Sequence, residues 1–165
     1  MEDMTSLSVY EKQTPALKHT ELSDRISEAI CRELIATALA YRKNAYVPYS
    51  GFYVGAALLT GDNEIYGGCN IENAAYSPTN CAERTAFFKA VSEGKRNFLG
   101  IAIVGGKGEM PDDFCAPCGV CRQVMMEFCD PKKFLIILAK SERDYLVYTL
   151  EELMPCGFSG KNLED

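Results

Sequence analysis

The sequence lacks the features typical of membrane-spanning and nucleic-acid-binding proteins. Its apolar runs, such as Phe134 to Ala139, are far shorter than the roughly 20 residues that a transmembrane helix needs. The net charge of −6 at pH 7 opposes binding to a phosphate backbone. No basic segment followed by an apolar stretch begins the chain. We therefore expect a cytoplasmic protein with no membrane or nucleic-acid partner, whose substrate is a small neutral molecule.

Histidine is nearly absent, whereas cysteine is abundant. The only histidine, His19, lies in a polar, aperiodic stretch, residues 1–20, which we expect to be a loosely held tail. Eight cysteines in a chain without a secretory signal do not indicate a disulfide framework, because the cytosol keeps thiols reduced. The spacing of the cysteines then becomes the informative feature.

Residues 21–165 are expected to form a single domain, because this length and a hydrophobic content of 47% suit one packed core. Helical periodicity predicts a first helix that begins after Ser23 and ends before Pro48. The patterns that follow predict a hairpin of strands, a helix, a strand, a helix and two strands, at 52–60, 64–73, 81–91, 99–105, 118–129, 134–139 and 145–148. A short helical tail is expected after the last strand. Strands interleaved with helices predict an α/β fold whose sheet is covered on both faces and is antiparallel at the hairpin edge.

Two short segments carry residues typical of a metal centre: Cys81-Ala82-Glu83 and Pro117-Cys118-Gly119-Val120-Cys121. Zinc prefers thiolates in tetrahedral geometry, and a Cys-x-x-Cys turn places two sulfurs close enough to share one ion. With Cys81 as the third ligand one position stays open, as in catalytic sites, whereas structural sites generally fill all four. On the cysteines alone, a structural site closed by Cys115 or another thiol remains an alternative.

Glu83 is the candidate general acid and base. It follows Cys81 by two residues at a predicted helix start, so its carboxylate can reach the open position without being a ligand. For hydrolysis at an amidine-like carbon, water must lose a proton and the ring nitrogen and departing amine must gain protons, and one carboxylate can serve every step. A Cys-x-Glu segment followed by Pro-Cys-x-x-Cys is the pattern of zinc deaminases. Glu83 in this register therefore argues against the closed structural site.

Arg84 is the candidate for offsetting the negative charge of the thiolates. Helix N-termini favour the thiolate form of the cysteines. Three thiolates carry more negative charge than a divalent ion neutralises, so the centre would have a net negative charge. Arg84 adjoins Glu83 and can donate a hydrogen bond to a sulfur. Taken singly, an arginine at this position is more often a surface residue of the helix.

From about Ser23 to Leu163 the sequence resembles the small, homotetrameric class of zinc-dependent cytidine deaminases. Three stretches carry the resemblance beside the cysteines and Glu83: Pro48 to Ala57, Asn70 to Tyr76, and Leu153 to Phe158. The resemblance implies a three-layer α/β/α fold with a central mixed five-stranded sheet and one Zn²⁺ per subunit. It implies hydrolytic deamination of cytidine and 2′-deoxycytidine, in pyrimidine salvage, by a homotetramer with shared active sites.

The same resemblance implies roles for five further residues. Asn70 and Glu72 would hold the ribose 3′-hydroxyl from alternating positions of a strand, and Phe52 would pack against the nucleoside. Phe158, with Tyr76, would reach into the pocket of a neighbouring subunit. Without the resemblance these side chains would more often be edge-strand polar groups or core aromatics.

The departures from the family pattern are few. The tail is longer than expected, and Met154 and Cys156 stand where leucine and a small residue are expected. We expect the cysteines outside the zinc motifs to be small buried hydrophobic residues, namely Cys31, Cys69, Cys129 and Cys156.

Two other functions are consistent with the zinc motifs. One is deamination of another cytosine-containing small molecule, such as blasticidin S, although Asn70, Glu72 and Phe52 favour a nucleoside. The other is a non-catalytic, zinc-stabilised binding module, against which the acidic charge and Glu83 both argue.

Overall fold

The computed structural model describes residues 26–163, and the predicted tail with His19 lies outside them. The elements follow the predicted order of helix, two strands, helix, strand, helix, two strands and a short helix. They are α1 (Glu28–Arg42), β1 (Tyr53–Thr60), β2 (Ile65–Cys69), α2 (Ala82–Ser92), β3 (Phe98–Gly106), α3 (Gly119–Phe128), β4 (Leu135–Ser141), β5 (Asp144–Thr149), α4 (Leu150–Leu153) and a 3-10 helix (Gly160–Leu163). Across residues 26–163, no helix is long and apolar enough to cross a bilayer.

The five strands form one mixed sheet in the order β2-β1-β3-β4-β5. The β1–β2 hairpin, the β1–β3 pair and the β4–β5 pair are antiparallel, whereas β3 and β4 run parallel. A parallel pair needs a crossover connection, and α3 supplies it between β3 and β4. The mixed sheet with an antiparallel hairpin edge confirms the prediction.

Helices cover both faces of the sheet. Ile101 and Ile103 of β3 belong to the core cluster that contains side chains of α2 and α3. Ala102 and Val104, between and beside them, belong to the cluster on the opposite face, which contains side chains of α1. Because successive strand residues point to opposite faces, β3 is buried on both sides. This arrangement confirms the three-layer α/β/α fold.

The first helix begins later than its sequence pattern predicts. Ser27 caps α1, and its hydroxyl accepts a hydrogen bond of 3.3 Å from the backbone N–H of Ile30. The predicted cap, Ser23, lies outside the described residues. Both serines precede the same apolar periodicity, so sequence spacing alone does not distinguish the two starts.

The second strand ends earlier than predicted. β2 stops at Cys69, and Asn70 and Glu72 lie beyond it rather than at alternating strand positions. Asn70 still donates its backbone N–H to Val54 of β1. The next residue, Ile71, pairs instead with Tyr46 and Asn80 through isolated bridges.

Two glycines allow the helices to approach the sheet closely. A Cβ atom at Gly55 of β1 would lie 2.0 Å from the carbonyl oxygen of Ala38 in α1. A Cβ atom at Gly68 of β2 would lie 2.4 Å from the carbonyl oxygen of Ala82 in α2. Gly68 therefore fixes the distance between the sheet and the first turn of α2.

Gly55→Ala is expected to lower the free energy of unfolding by about 1–3 kcal/mol, because the new methyl group must displace helix backbone. Urea unfolding at a fixed zinc concentration measures the change. Gly160→Ala is the matched control, since a Cβ atom there would meet nothing within 4 Å. Equal unfolding midpoints for the two variants would contradict the close approach of α1 to β1.

Candidate active site and metal centre

Three cysteine sulfurs meet where two helices begin. Cys81 occupies the N-cap position of α2, and Cys118 occupies that of α3. Cys121 lies in the first turn of α3. The Sγ atoms of Cys81 and Cys118 are 3.8 Å apart, and those of Cys118 and Cys121 are 3.5 Å apart. All three atoms lie within 4.8 Å of one another. The structure thus brings together the three ligands that the sequence predicts.

The spacing of the sulfurs fits a zinc ion. Tetrahedral Zn–S bonds of about 2.3 Å place two sulfurs roughly 3.8 Å apart. No other group of three or more histidine, cysteine or acidic side chains within residues 26–163 is suited to hold a metal, and Cys115 is not part of the trio. The described residues therefore offer three thiolates and no fourth, which is the ligand count of a catalytic rather than a structural site.

The environment of the sulfurs favours ionisation of Cys81. The pKa of Cys81 is lowered to about 5, chiefly by a hydrogen bond from Cys121 and also by Arg84 and Cys118. The reciprocal interaction raises the pKa of Cys121, with burial adding to it. The N-terminus of a helix further favours a thiolate at its cap. The local environment thus favours the thiolate form of Cys81.

The carboxylate of Glu83 is buried directly beside this trio. Glu83 is the second residue of α2 and only 4% exposed. Burial raises its pKa to about 7, the charge of Cys81 adds to the rise, and a hydrogen bond with Cys121 opposes it. A carboxyl group with a pKa near neutrality can both accept and donate a proton at physiological pH. This is the property required of the predicted general acid and base.

Arg84 faces the sulfurs rather than the solvent-exposed side of α2. Its Nη2 donates to the carbonyl oxygen of Thr79 at 3.0 Å and to Cys81 Sγ at 3.7 Å. Its Nε is the one buried side-chain nitrogen or oxygen without a hydrogen-bond partner in the described part of the chain. A buried donor of this kind is rare in folded proteins. Arg84 therefore brings positive charge and spare hydrogen-bonding capacity to the thiolates.

Asn70 and Glu72 fasten the segment that carries Phe52. The Asn70 amide accepts from the N–H of Val54 at 2.8 Å and donates to the carbonyl oxygen of Phe52 at 2.9 Å. Glu72 Oε2 accepts from the N–H groups of Tyr49 and Ser50, at 2.9 and 3.2 Å. The hydrogen bonds from Ser50 and Tyr49 also lower the pKa of Glu72, so it stays ionised. Each side chain keeps a further donor or acceptor for a ligand.

Cys115 lies beside Phe52, near the metal centre. A Cβ atom at Gly105 would lie 2.7 Å from Cys115 Sγ and 3.1 Å from Phe52 Cε1, so the two side chains meet over this glycine. Burial raises the pKa of Cys115 to about 12, and the charge of Glu83 adds to the rise. Cys115 is therefore a neutral wall residue of the site. Its position depends on a contact with β3 that is not visible in the local sequence.

Tyr76 and Phe158 lie on the surface of the chain. Tyr76 is 78% exposed and Phe158 is 56% exposed. Tyr76 has a left-handed backbone conformation, with φ of 57°, which is uncommon for an aromatic residue. Together with Glu72 and Tyr49 it lines an open cavity of about 450 Å³. Neither aromatic residue is part of the core of its own chain.

The four remaining cysteines differ in exposure. Cys31 is buried, and Cys69 and Cys129 are half-buried. The prediction that Cys156 is buried is wrong, because it lies in an exposed turn after α4 with φ of 58°.

Comparison with known proteins places these features in a family. Residues 30–138 match the family described as "Cytidine and deoxycytidylate deaminase zinc-binding region". The cytidine deaminase of Sporosarcina psychrophila is 52% identical over 131 residues, which are 79% of this chain and 93% of that protein. The cytidine deaminase of Halalkalibacterium halodurans is 48% identical over 133 residues, which are 80% of this chain and 96% of that protein.

The fold agrees with the sequence comparison. The crystal structure of cytidine deaminase from Burkholderia pseudomallei superposes with a TM-score of 0.69 at 45% identity, covering 76% of this chain and 97% of that one. The family match over residues 30–138 spans the helices that carry the three sulfurs and Glu83. The chain therefore belongs to the zinc-binding family of cytidine and deoxycytidylate deaminases.

Proposed function

We propose that this chain, through the domain that begins near residue 21, hydrolyses cytidine and 2′-deoxycytidine to uridine and 2′-deoxyuridine with release of ammonia. The reaction would serve pyrimidine salvage in the cytoplasm. One observation carries the proposal: a buried carboxyl group, Glu83, adjoins three sulfurs spaced for one zinc ion. The names of the relatives support cytidine over blasticidin S as the substrate.

Cys81, Cys118 and Cys121 would hold the zinc ion, and Arg84 would offset their negative charge. When bound, the ion supplies Lewis-acid activation of water. Three thiolates donate more negative charge than three imidazoles would, which weakens that activation. The hydrogen bond from Arg84 to Cys81 withdraws part of the charge and fixes the sulfur in place.

Glu83 moves the protons of the reaction. Its carboxylate accepts a proton from the attacking water and delivers it to the ring nitrogen N3, as the new C–O bond forms at C4. It then takes the proton of the hydroxyl group on C4 and gives it to the amino group, so that the C4 carbonyl forms, the C–N bond breaks and ammonia leaves. Burial raises the pKa of Glu83 towards neutrality, which favours transfer in both directions, and it also keeps bulk water from competing.

Asn70, Glu72 and Phe52 bind the nucleoside. The amide and the carboxylate that hold the Phe52 segment each keep hydrogen-bonding capacity for the ribose 3′-hydroxyl. Phe52 and Cys115 provide an apolar wall for the base. The side chains that bind substrate therefore also fix the backbone of the binding segment.

A second copy of the chain completes the site. The exposure of Tyr76 and Phe158 supports this role, because each is a large aromatic side chain that its own chain leaves available to a neighbouring subunit. We propose a homotetramer in which each active site receives these residues from an adjacent copy.

Glu83→Gln is expected to lower kcat/KM for cytidine by at least about 100-fold, because the amide cannot exchange protons. The fall in near-ultraviolet absorbance of the cytosine ring measures the reaction. Glu127→Gln, on the exposed side of α3, is the control and is expected to keep full activity. Retained activity in a zinc-loaded Glu83→Gln enzyme would exclude Glu83 as the proton carrier.

Arg84→Ala is expected to lower zinc affinity and turnover by roughly 10-fold to 100-fold, as loss of a partner to a metal ligand typically does. Competition with a chelator measures the affinity. Arg96→Ala is the control, because Arg96 is exposed and donates to the carbonyl oxygens of Val91 and Lys95. Unchanged affinity together with unchanged turnover would remove Arg84 from the site.

Phe158→Ala is expected to raise KM for cytidine by about 10-fold, because the variant loses one apolar contact to the substrate. Leu163→Ala, at another exposed apolar position, is the control. Sedimentation analysis of both variants checks that the oligomeric state is unchanged. A wild-type KM for Phe158→Ala would contradict the shared site.

A further inference from the structure

The helix that carries two metal ligands also holds the C-terminal segment, residues 153–158. Next to Cys121, the guanidinium of Arg122 is half-buried and bonds in two directions. Its Nε donates to the carbonyl oxygen of Pro117 at 2.8 Å, and its Nη1 donates to the carbonyl oxygen of Leu153 at 2.5 Å. Arg122 thus joins the loop before Cys118 to the start of the C-terminal segment.

The far end of the segment has its own attachment to α3. The side-chain amide of Gln123 donates to the carbonyl oxygen of Phe158 at 3.0 Å. Gly157 lies against Met126, where an added Cβ atom would be 3.2 Å from Met126 Cε. Residues 153–158 are therefore fixed to α3 at both ends, by the two residues that directly follow Cys121.

Between the two attachments the chain turns sharply, and Phe158 points outward. Cys156 has a left-handed conformation with φ of 58° and lies in a turn. The backbone carbonyl of Phe158 is held by Gln123, whereas its ring is 56% exposed. The attachment fixes the starting point of the side chain without burying the ring in its own chain.

We infer that Gln123 is the positioning residue for Phe158. By holding the Phe158 carbonyl, Gln123 presets the direction in which the ring enters the site of a neighbouring copy. Pre-ordering the backbone lowers the entropic cost of seating the ring against substrate. The inference rests on the proposed function, in which Phe158 completes the adjacent site.

The consequence is that one helix serves two active sites. Its first turn holds Cys118 and Cys121 in the site of its own chain, and its next residues orient the aromatic wall of another. Gln123 provides the cleaner test of the two attachments, because Arg122 also contacts the loop that leads to Cys118.

Gln123→Ala is expected to raise KM for cytidine by about 3-fold to 10-fold with kcat and zinc content unchanged, since it removes binding that is equal in the ground and transition states. Gln123→Glu keeps the shape but loses the donor at neutral pH, so it is expected to show at least the same rise. Glu127→Ala, on the exposed side of the same helix, is expected to have the wild-type KM.

The double variant Gln123→Ala/Phe158→Ala separates positioning from general stability. If Gln123 acts through Phe158, the double variant has the KM of Phe158→Ala alone, because the two residues form one unit. Multiplicative effects, or a wild-type KM for Gln123→Ala beside a raised KM for Phe158→Ala, would overturn the inference and leave the proposed function intact. A wild-type KM for Phe158→Ala would overturn both the shared site and the inference.

Discussion

The structure depends on two helix N-termini that bring three sulfurs within bonding distance of one ion. Cys81 caps α2, and Cys118 caps α3, with Cys121 one turn further along. Because both helices begin at the sulfurs, their unpaired N–H groups favour thiolates at the same point. The same geometry places Glu83 in the first turn of α2, where burial raises its pKa into the range useful for proton transfer. The proposed metal binding and the proposed proton transfer therefore both depend on one arrangement of the backbone.

The sheet fixes where these helices begin. α2 lies against β2 at Gly68, where no side chain separates helix backbone from strand backbone. α3 forms the crossover between the largely buried parallel strands β3 and β4, and its buried side chains belong to the same core cluster as Ile101 and Ile103. The segment that carries Phe52 is attached to this frame by Asn70, which bonds to backbone atoms on both sides of Tyr53. The sulfurs thus lie at the ends of rigid elements, while Phe52, Asn70 and Glu72 lie on the loops between elements.

The features set by local sequence could be predicted, and those set by distant contacts could not. The order of elements, the three ligands and Glu83 follow from short motifs and apolar periodicity. Sequence spacing did not distinguish Ser27 from Ser23 as the first cap, because either serine suits the same apolar pattern. The end of β2 at Cys69 depends on pairing of Ile71 with Tyr46 and Asn80. The placement of Cys115 beside Phe52, and the attachment of Phe158 by Gln123 from 35 residues away, likewise require the folded chain.

The central claim is that three sulfurs hold one zinc ion and that its fourth coordination position is open to an oxygen or nitrogen ligand. X-ray absorption at the zinc edge of the purified, active protein tests this claim most directly. The account predicts one zinc per chain with three sulfur neighbours at about 2.3 Å and one oxygen or nitrogen neighbour at roughly 2.0 Å. Four sulfur neighbours, or full activity in protein that contains no metal, would contradict it.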